Sequence, residues 1–110
     1  MGSAKKDLSA MPGLVQDTFG YALYLAQIGY THSQAKVLRG FIGASILEIV
    51  EDYLGDTYRA IYTLRLPGAV YVLHCFQKKS KRGIQTPRQD IEVVRQRLKA
   101  ATEHAQKRNG

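Results

Sequence analysis

Four basic side chains stand close together in the second half of the chain, at Lys78, Lys79, Lys81 and Arg82. They follow a run of β-forming residues, so a strand would deliver them into one short loop. Like charges at this spacing repel one another, and a phosphate backbone would neutralise them and release its counterions. A solvated basic loop without a ligand is the alternative. We call residues 78–82 the basic segment.

The basic segment opens a larger block of positive charge. Residues 1–76 hold six bases and six acids, whereas residues 77–110 hold ten bases and three acids, so the whole net charge of +7 lies in the last 34 residues. A charge block of this kind indicates a polyanionic partner, with nucleic acid first and an anionic membrane second.

A second candidate is a strand with strict alternation, residues 57–66. One face carries tyrosine, alanine and leucine and is predicted to be core, while the other carries Arg59 and Arg65 on one surface. For Arg65, near the strand end, an ordinary solvated arginine is the better interpretation. For Arg59, in the middle of the strand, a functional role and a structural role are equally supported.

Other reactive side chains give weaker signals. His74 could serve as a general acid or base, but a lone histidine on an apolar strand is more often a core residue with a satisfied hydrogen bond. Cys75 is predicted to be a small buried hydrophobe. The seven tyrosines could stack RNA bases beside a basic groove or fill the rim of a small core, and sequence does not decide between these roles.

Several classes of protein are excluded. The longest apolar run is far too short to cross a bilayer, and the N-terminus lacks the apolar region of a signal peptide, so we expect no membrane partner. A single cysteine suits a reducing cytoplasm. The three histidines are widely separated and no acidic or thiol cluster accompanies them, so we expect neither a metal site nor a cofactor.

The apolar pattern predicts a single α+β domain over residues 1–110. After a polar lead-in at residues 1–11, a helix begins near Pro12 and ends near Gly29, with close packing expected at Gly20. Residues 30–45 are predicted to be irregular, with a short helical turn between Ser33 and Leu38. Three strands follow, at residues 46–53, 57–66 and 69–77, and tight turns at 54–56 and 67–68 make them an antiparallel meander.

The third strand is apolar nearly throughout, so we expect it to be central in the sheet. The loop after it ends in a capping box at residues 86–89, with proline at the first helical position. The terminal helix that follows has an apolar stripe, and residues 105–110 are predicted to fray. The stripe consists of Ile91, Val94, Leu98, Ala101 and Ala105.

Three segments together resemble one known family. They are LEIVEDYLGDTYRAIYT, AVYVLHCFQKKSKRGIQTP and RQDIEVVRQRL, in this order. Over residues 8–98 the sequence resembles the HigB-like, phage-derived branch of the RelE/HigB toxin superfamily. The resemblance implies helices packed on a twisted antiparallel sheet, in agreement with the pattern above. Relatives open with a further N-terminal strand that this sequence does not show. Either the strand is absent or truncated, in which case we expect an uncovered sheet edge, or the start of the sequence is assigned late.

The resemblance implies the toxin of a type II toxin–antitoxin module, an endoribonuclease that cleaves mRNA on the ribosome without a metal. The implied partners are the mRNA and a helix-turn-helix antitoxin, in a toxin–antitoxin hetero-oligomer. The alternative is a non-catalytic relative that binds RNA or an antitoxin.

The same resemblance implies catalytic roles for Arg59, Lys78 and Lys79. We predict that Arg65, Lys81, Arg82 and Arg88 bind RNA. The general base stays open between His74, Tyr62 and a lysine with a lowered pKa.

Overall fold

The structure, a computed structural model, describes residues 3–38, 46–63, 70–78 and 88–109. It confirms the α+β class, with helices before the sheet and one helix after it. The elements are α1 (Ala4–Ser9), α2 (Gly13–Gln27), β1 (Ala35–Val37), β2 (Ile46–Tyr53), β3 (Asp56–Thr63), β4 (Val72–Lys78) and α3 (Arg88–Asn109).

The sheet is the meander that the turn signals predicted, with one additional strand. Strands β2, β3 and β4 pair antiparallel in sequence order, and β1 adds to β2, giving the order β1-β2-β3-β4. Between β2 and β3, Leu54 and Gly55 both have positive φ, at 50° and 85°. Such a two-residue turn matches the twist of the strands and fixes their register.

Both long helices pack through the stripes that the sequence predicted. In α2, Val15, Phe19, Ala22 and Ala26 are buried against the sheet. Pro12 stands just before the helix, and Gly29, at φ 92°, follows its end, where a positive φ suits glycine. In α3, Val94, Ala101 and Ala105 are buried, with Ile91 and Leu98 partly buried beside them.

The polar lead-in contains helix α1, so two helices precede the sheet. Three predictions about short or peripheral features were wrong. Ser33–Leu38 contains strand β1 instead of a helical turn. Residues 105–109 continue α3 instead of fraying, because Ala105 is anchored in the core. At Gly20, no described atom lies within 4 Å of where a Cβ would stand, so the expected close packing does not occur inside the described part of the chain.

The third predicted strand, β4, is the last strand of the described sheet and not a central one. Its apolar character has another cause, because α1 and α3 both pack on it. Strand β3 is the most buried strand, with every residue from Tyr58 to Thr63 buried. The sheet therefore has two covered faces, an α2 face and an α3 face.

Each face has its own apolar cluster. On the α2 face, the helical stripe of α2 packs on alternate residues of the strands, among them Ile49, Ala60, Tyr62 and Cys75. On the α3 face, Val94 and Ala101 pack on Ile46, Ile61 and Leu73.

The predicted turn at Pro67-Gly68 and the predicted capping box at 86–89 include residues outside the described ones.

Candidate functional site

Arg59 lies on the α3 face and is buried, with 4% of its surface exposed. Its Nη1 donates to Oε2 of Glu48 on β2, at 3.1 Å. We expected this face of β3 to be an open surface, which was wrong, because α3 covers the sheet on this side. Removing two charges from water is costly, so the Arg59–Glu48 pair depends on its geometry and further hydrogen bonds for compensation.

The strand register places Arg59 beside aromatic and basic positions of β4. Its direct partner across the ladder is Phe76, and the next pair toward the strand end joins Thr57 to Lys78. Arg59 and Lys78 are therefore diagonal neighbours, with Cα atoms about 7–8 Å apart in a regular ladder. The basic segment begins at the strand end closest to Arg59.

His74 lies on the same strand as Phe76 and stacks on its ring, with centroids 4.7 Å apart and planes at 21°. Its Nε2 is 2.7 Å from Oδ1 of Asp90, and its Nδ1 is 3.3 Å from Nη1 of Arg97. Because guanidinium nitrogens only donate, Nδ1 of His74 accepts the hydrogen bond from Arg97. Nε2 then carries the ring proton and donates a hydrogen bond to Asp90. The prediction of a core histidine with satisfied hydrogen bonds is confirmed.

Arg97 connects His74 to two other parts of the chain. Its Nη1 donates to the carbonyl oxygen of Leu73 at 2.9 Å, and its Nη2 donates to Oγ of Ser3 at 3.2 Å. Arg97 and Asp90 are seven residues apart on α3, two helical turns on one side. We call Glu48, Arg59, His74, Asp90 and Arg97 the polar cluster.

Asp90 and Arg97 were not predicted from the sequence, although one signal for them exists. Both interrupt the solvent-facing charge pattern of α3 near its apolar stripe, Asp90 just before Ile91 and Arg97 just before Leu98. A charged residue at the border of a buried stripe often has a buried partner. The identity of that partner follows only from the packing of α3 on β4.

Two other side chains that could transfer a proton or act as a nucleophile, Tyr62 and Cys75, are buried. Tyr62 is fully buried, its hydroxyl has no hydrogen-bond partner among the described residues, and burial raises its pKa. Burial, reinforced by the negative charge of Asp7, raises the pKa of the Cys75 thiol to about 12. Cys75 is therefore the inert buried hydrophobe that the sequence predicted.

The predicted RNA-binding residues are only partly described. Arg88 is exposed at the first residue of α3. The backbone of Lys78 ends β4, whereas Arg65, Lys79, Lys81 and Arg82 lie outside the described residues. Farther along α3, Arg95 and Lys99 are exposed. Both ends of the basic segment's loop are thus anchored, by Lys78 on one side and Arg88 on the other.

Comparison with known proteins gives the family. The model of the phage-derived protein Gp49-like family (DUF891) matches residues 6–99, which is most of the chain. The chain belongs to this family. A search of the curated proteins and a search of the solved structures each found no match.

The exposed tyrosines of this Gp49-like chain do not adjoin the positive charge of α3. Tyr21, Tyr24 and Tyr30 are exposed on or just after α2, on the other side of the sheet from α3. Tyr58 and Tyr62 are buried on the α2 face. Among the described residues, no exposed tyrosine is placed to stack a base beside α3.

The Gp49-like chain also has a groove of about 370 Å³ where α1 meets β4. The groove borders the polar cluster at His74, and Asp7 lines it, whereas no lysine or arginine is among its described lining residues. The groove therefore does not include the basic residues that the sequence predicts to bind RNA. Within the described part of the chain, no helix is long and apolar enough to cross a membrane, and no group of three metal-binding side chains occurs.

Proposed function

We propose that this Gp49-like protein is the toxin of a type II toxin–antitoxin module and cleaves mRNA on the ribosome. Membership of the family supports a toxin, because the Gp49-like family is RelE/HigB-like. The charge distribution supports a nucleic-acid substrate, because the whole net charge of +7 lies in residues 77–110.

The observation that carries the proposal is the register of β3 and β4. It makes Arg59 and Lys78 diagonal neighbours, and it starts the basic segment at the end of the ladder next to Arg59. Arg88 is the first residue of α3 after the same loop, so a basic residue stands at each end of the loop between β4 and α3. This arrangement supports a phosphate-binding surface formed by Lys78, Lys79, Lys81, Arg82 and Arg88, with Arg65 as a further RNA contact.

The chemistry proposed is transesterification. The 2′-hydroxyl oxygen of one ribose attacks the adjacent phosphorus, a 2′,3′-cyclic phosphate forms, and the 5′-oxygen of the next nucleotide leaves with a proton. The pentavalent transition state carries more negative charge than the substrate, so cations fixed beforehand stabilise it selectively. We assign this role to Arg59, Lys78 and Lys79.

Arg59 requires a rearrangement before it can act on RNA. Its guanidinium is buried and is bonded to Glu48 in the protein without RNA. We propose that the scissile phosphate replaces Glu48 as the partner of Arg59 in the RNA complex. Phosphate and carboxylate both accept two parallel hydrogen bonds from a guanidinium, so the exchange conserves the type of interaction.

The proton of the 2′-hydroxyl needs an acceptor, and the sequence left His74, Tyr62 and a lysine open for this role. His74 has both ring nitrogens in hydrogen bonds, and the Tyr62 hydroxyl is buried, which favours a lysine. We propose a lysine of the basic segment as the general base. We expect the polar cluster, apart from Arg59, to hold β4 and α3 in position.

The experiment is induction of the protein in cells with mapping of mRNA 5′ ends. Wild type is expected to produce translation-dependent cuts, and Lys79→Ala should reduce cleavage by about 10²–10³, the usual effect of removing one such donor. Arg59→Ala should do the same. Arg59→Lys keeps a positive charge beside Glu48. A loss of cleavage in this variant would therefore reflect the loss of the guanidinium and not a loss of folding.

Lys36→Ala is the matched control. It removes the same charge from the exposed strand β1, at the opposite end of the described sheet from β4. Its cleavage should equal that of wild type. Full activity of Lys79→Ala and Arg59→Ala in folded protein would contradict the site assignment, and wild type without cuts would contradict the proposed activity.

A non-catalytic relative that binds RNA or an antitoxin is the second candidate. The observation in its favour is the burial of Arg59 in the pair with Glu48, because an arginine held by a carboxylate is a normal structural element. This alternative predicts RNA binding that weakens steeply with salt and no cleavage. For either function, we expect a helix-turn-helix antitoxin with acidic groups to cover the basic surface, and a cytoplasmic location.

A further inference from the structure

The outward side of α2 carries large apolar residues that the fold leaves uncovered. Leu14, Tyr21, Tyr24 and Ile28 each expose between 50% and 64% of their surface. With Asp17 they recur at alternating spacings of three and four residues, which places them along one line of the helix. We call these five residues the α2 stripe. Single exposed apolar residues are ordinary, whereas four on one side of a helix, with one acid among them, indicate an interaction surface.

Gly20 lies beside this stripe and has no local explanation. It stands in the middle of α2, where glycine costs about 1 kcal/mol relative to alanine. No described atom approaches within 4 Å of a Cβ built there, and its φ is not in the left-handed region. A glycine on the outside of a helix does have one packing use, which is to let a second helix approach closely.

The charge near the α2 stripe indicates what can approach it. Residues 7–35 contain no lysine or arginine and two acids, Asp7 and Asp17, in a chain whose net charge is +7. Two copies of this protein would repel each other through their α3 sides. The outward side of α2 is a surface on which two copies can meet without bringing their basic blocks together.

We propose that the α2 stripe is the interface of a homodimer, in which α2 packs antiparallel on α2 of a second copy. With a two-fold axis near Tyr21, Leu14 of each copy meets Ile28 of the other. Asp17 of each copy then lies opposite Tyr24 of the other, so a phenol O–H can donate to the carboxylate. The stripe is self-complementary, as an interface across a two-fold axis must be.

Contacts inside the protein already order this surface. The rings of Tyr21 and Tyr24 stack with centroids 6.5 Å apart, and His32 contacts Tyr21 edge-on at 5.7 Å. Side chains held in place lose little further entropy on association. A contact between two helices of about 22 Å is nevertheless smaller than a standard interface, so the dimer should be weak and form in the micromolar range.

The test is sedimentation equilibrium of the full chain from about 5 μM to 1 mM. Wild type should shift from monomer to dimer with concentration. Gly20→Leu should raise the dissociation constant at least tenfold, because its side chain would occupy the crossing point. The same variant should melt no lower than wild type at 5 μM, since leucine is a good helix former, and this excludes loss of folding as the cause.

Leu54→Ala is the matched control, since Leu54 is an exposed leucine in the β2–β3 turn, away from α2. Its dissociation constant should equal that of wild type. Wild type that stays monomeric at 1 mM would overturn the proposal, and so would equal dimerisation by Gly20→Leu. These results are independent of RNA cleavage, so the dimer and the proposed toxin activity succeed or fail separately.

Disulfide trapping tests whether the two copies meet at Tyr21. Tyr21→Cys lies near the proposed axis and should form a disulfide-linked dimer on mild oxidation, whereas Leu54→Cys should not. The background is low because Cys75 is buried and its thiol pKa is raised to about 12. Equal cross-linking of the two variants would contradict an interface centred on Tyr21.

Discussion

The two faces of the sheet bury different kinds of side chain. The α2 face is a continuous apolar layer, in which the buried residues of α2 cover alternate residues of β2, β3 and β4. The α3 face has a smaller apolar cluster together with the buried Arg59–Glu48 pair and the hydrogen-bonded His74. Among the described residues, the buried Arg59–Glu48 ion pair lies on the α3 face.

Apolar side chains and buried ion pairs have different effects on the fold. Apolar burial stabilises in proportion to area and tolerates changes of shape, whereas a buried ion pair contributes little net stability and fixes the relative position of its two partners. The α3 face holds the strands from which the basic segment leaves. We therefore expect truncation on the α2 face to lower stability through lost burial, and substitutions in the polar cluster to lower it only where a buried partner is left unpaired.

The largest effect is expected from Phe19→Ala on the α2 face. Phe19 is fully buried, and truncation of such a side chain costs about 3–5 kcal/mol. Since a domain of this size has about 5–15 kcal/mol in total, the midpoint of urea unfolding should fall sharply. Leu14→Ala, an exposed position on the same helix, should change stability by less than about 0.5 kcal/mol in dilute solution. Similar losses in both variants would show that α2 does not pack on the sheet through the buried side that carries Phe19.

Glu48→Ala should cost about 3 kcal/mol, because it leaves a buried guanidinium without its carboxylate. The double variant Glu48→Leu with Arg59→Met replaces both charges by apolar groups and should recover most of that loss in urea unfolding. If the double variant is as unstable as the single one, the pair is not the interaction that Glu48 contributes.

Asp90→Ala should cost about 2 kcal/mol, since it leaves the Nε2–H of His74 buried without an acceptor. Asp90→Asn keeps an amide oxygen at the same place and should lose less than half as much, measured by thermal unfolding at neutral pH. Equal losses for alanine and asparagine would mean that the charge of Asp90, and not its hydrogen bond, matters most.

The smallest effects are expected at two glycines of opposite character. Gly20→Ala should stabilise the monomer by about 0.8 kcal/mol, because alanine is the better helix former and space is open there. Gly29→Ala should destabilise it by about 1 kcal/mol, because φ of 92° is unfavourable for a side chain. Thermal unfolding at micromolar concentration measures both, and a change of the same sign would contradict this reading of the two sites.

The long elements could be predicted from the sequence because their signals are local. The buried rows of α2 and α3 and the turn between β2 and β3 depend on residues a few positions apart, and the structure confirms them. Strand β1 and helix α1 were missed because three and six residues carry too little pattern. The place of β4 at the end of the described sheet was also missed, because two covering helices give an end strand the composition of a central one.

The candidate site could be predicted only in its residue types. Arg59 was identified, but its burial was not, because alternation tells which residues share a face and not whether a helix covers that face. His74 was identified as a core residue, whereas its partners Asp90 and Arg97 stand 16 and 23 positions away and meet it only through tertiary packing. The remaining basic positions stay predictions.

Arg97 has a consequence for the order of folding. Its guanidinium joins Ser3 and Leu73, which are 94 and 24 positions away, whereas β2, β3 and β4 form from neighbouring stretches of chain. Contacts across short separations close first, because long loops lose more entropy on closure. The Arg97 contacts should therefore form after the folding barrier has been crossed, so that weakening them accelerates unfolding and leaves the folding rate nearly unchanged.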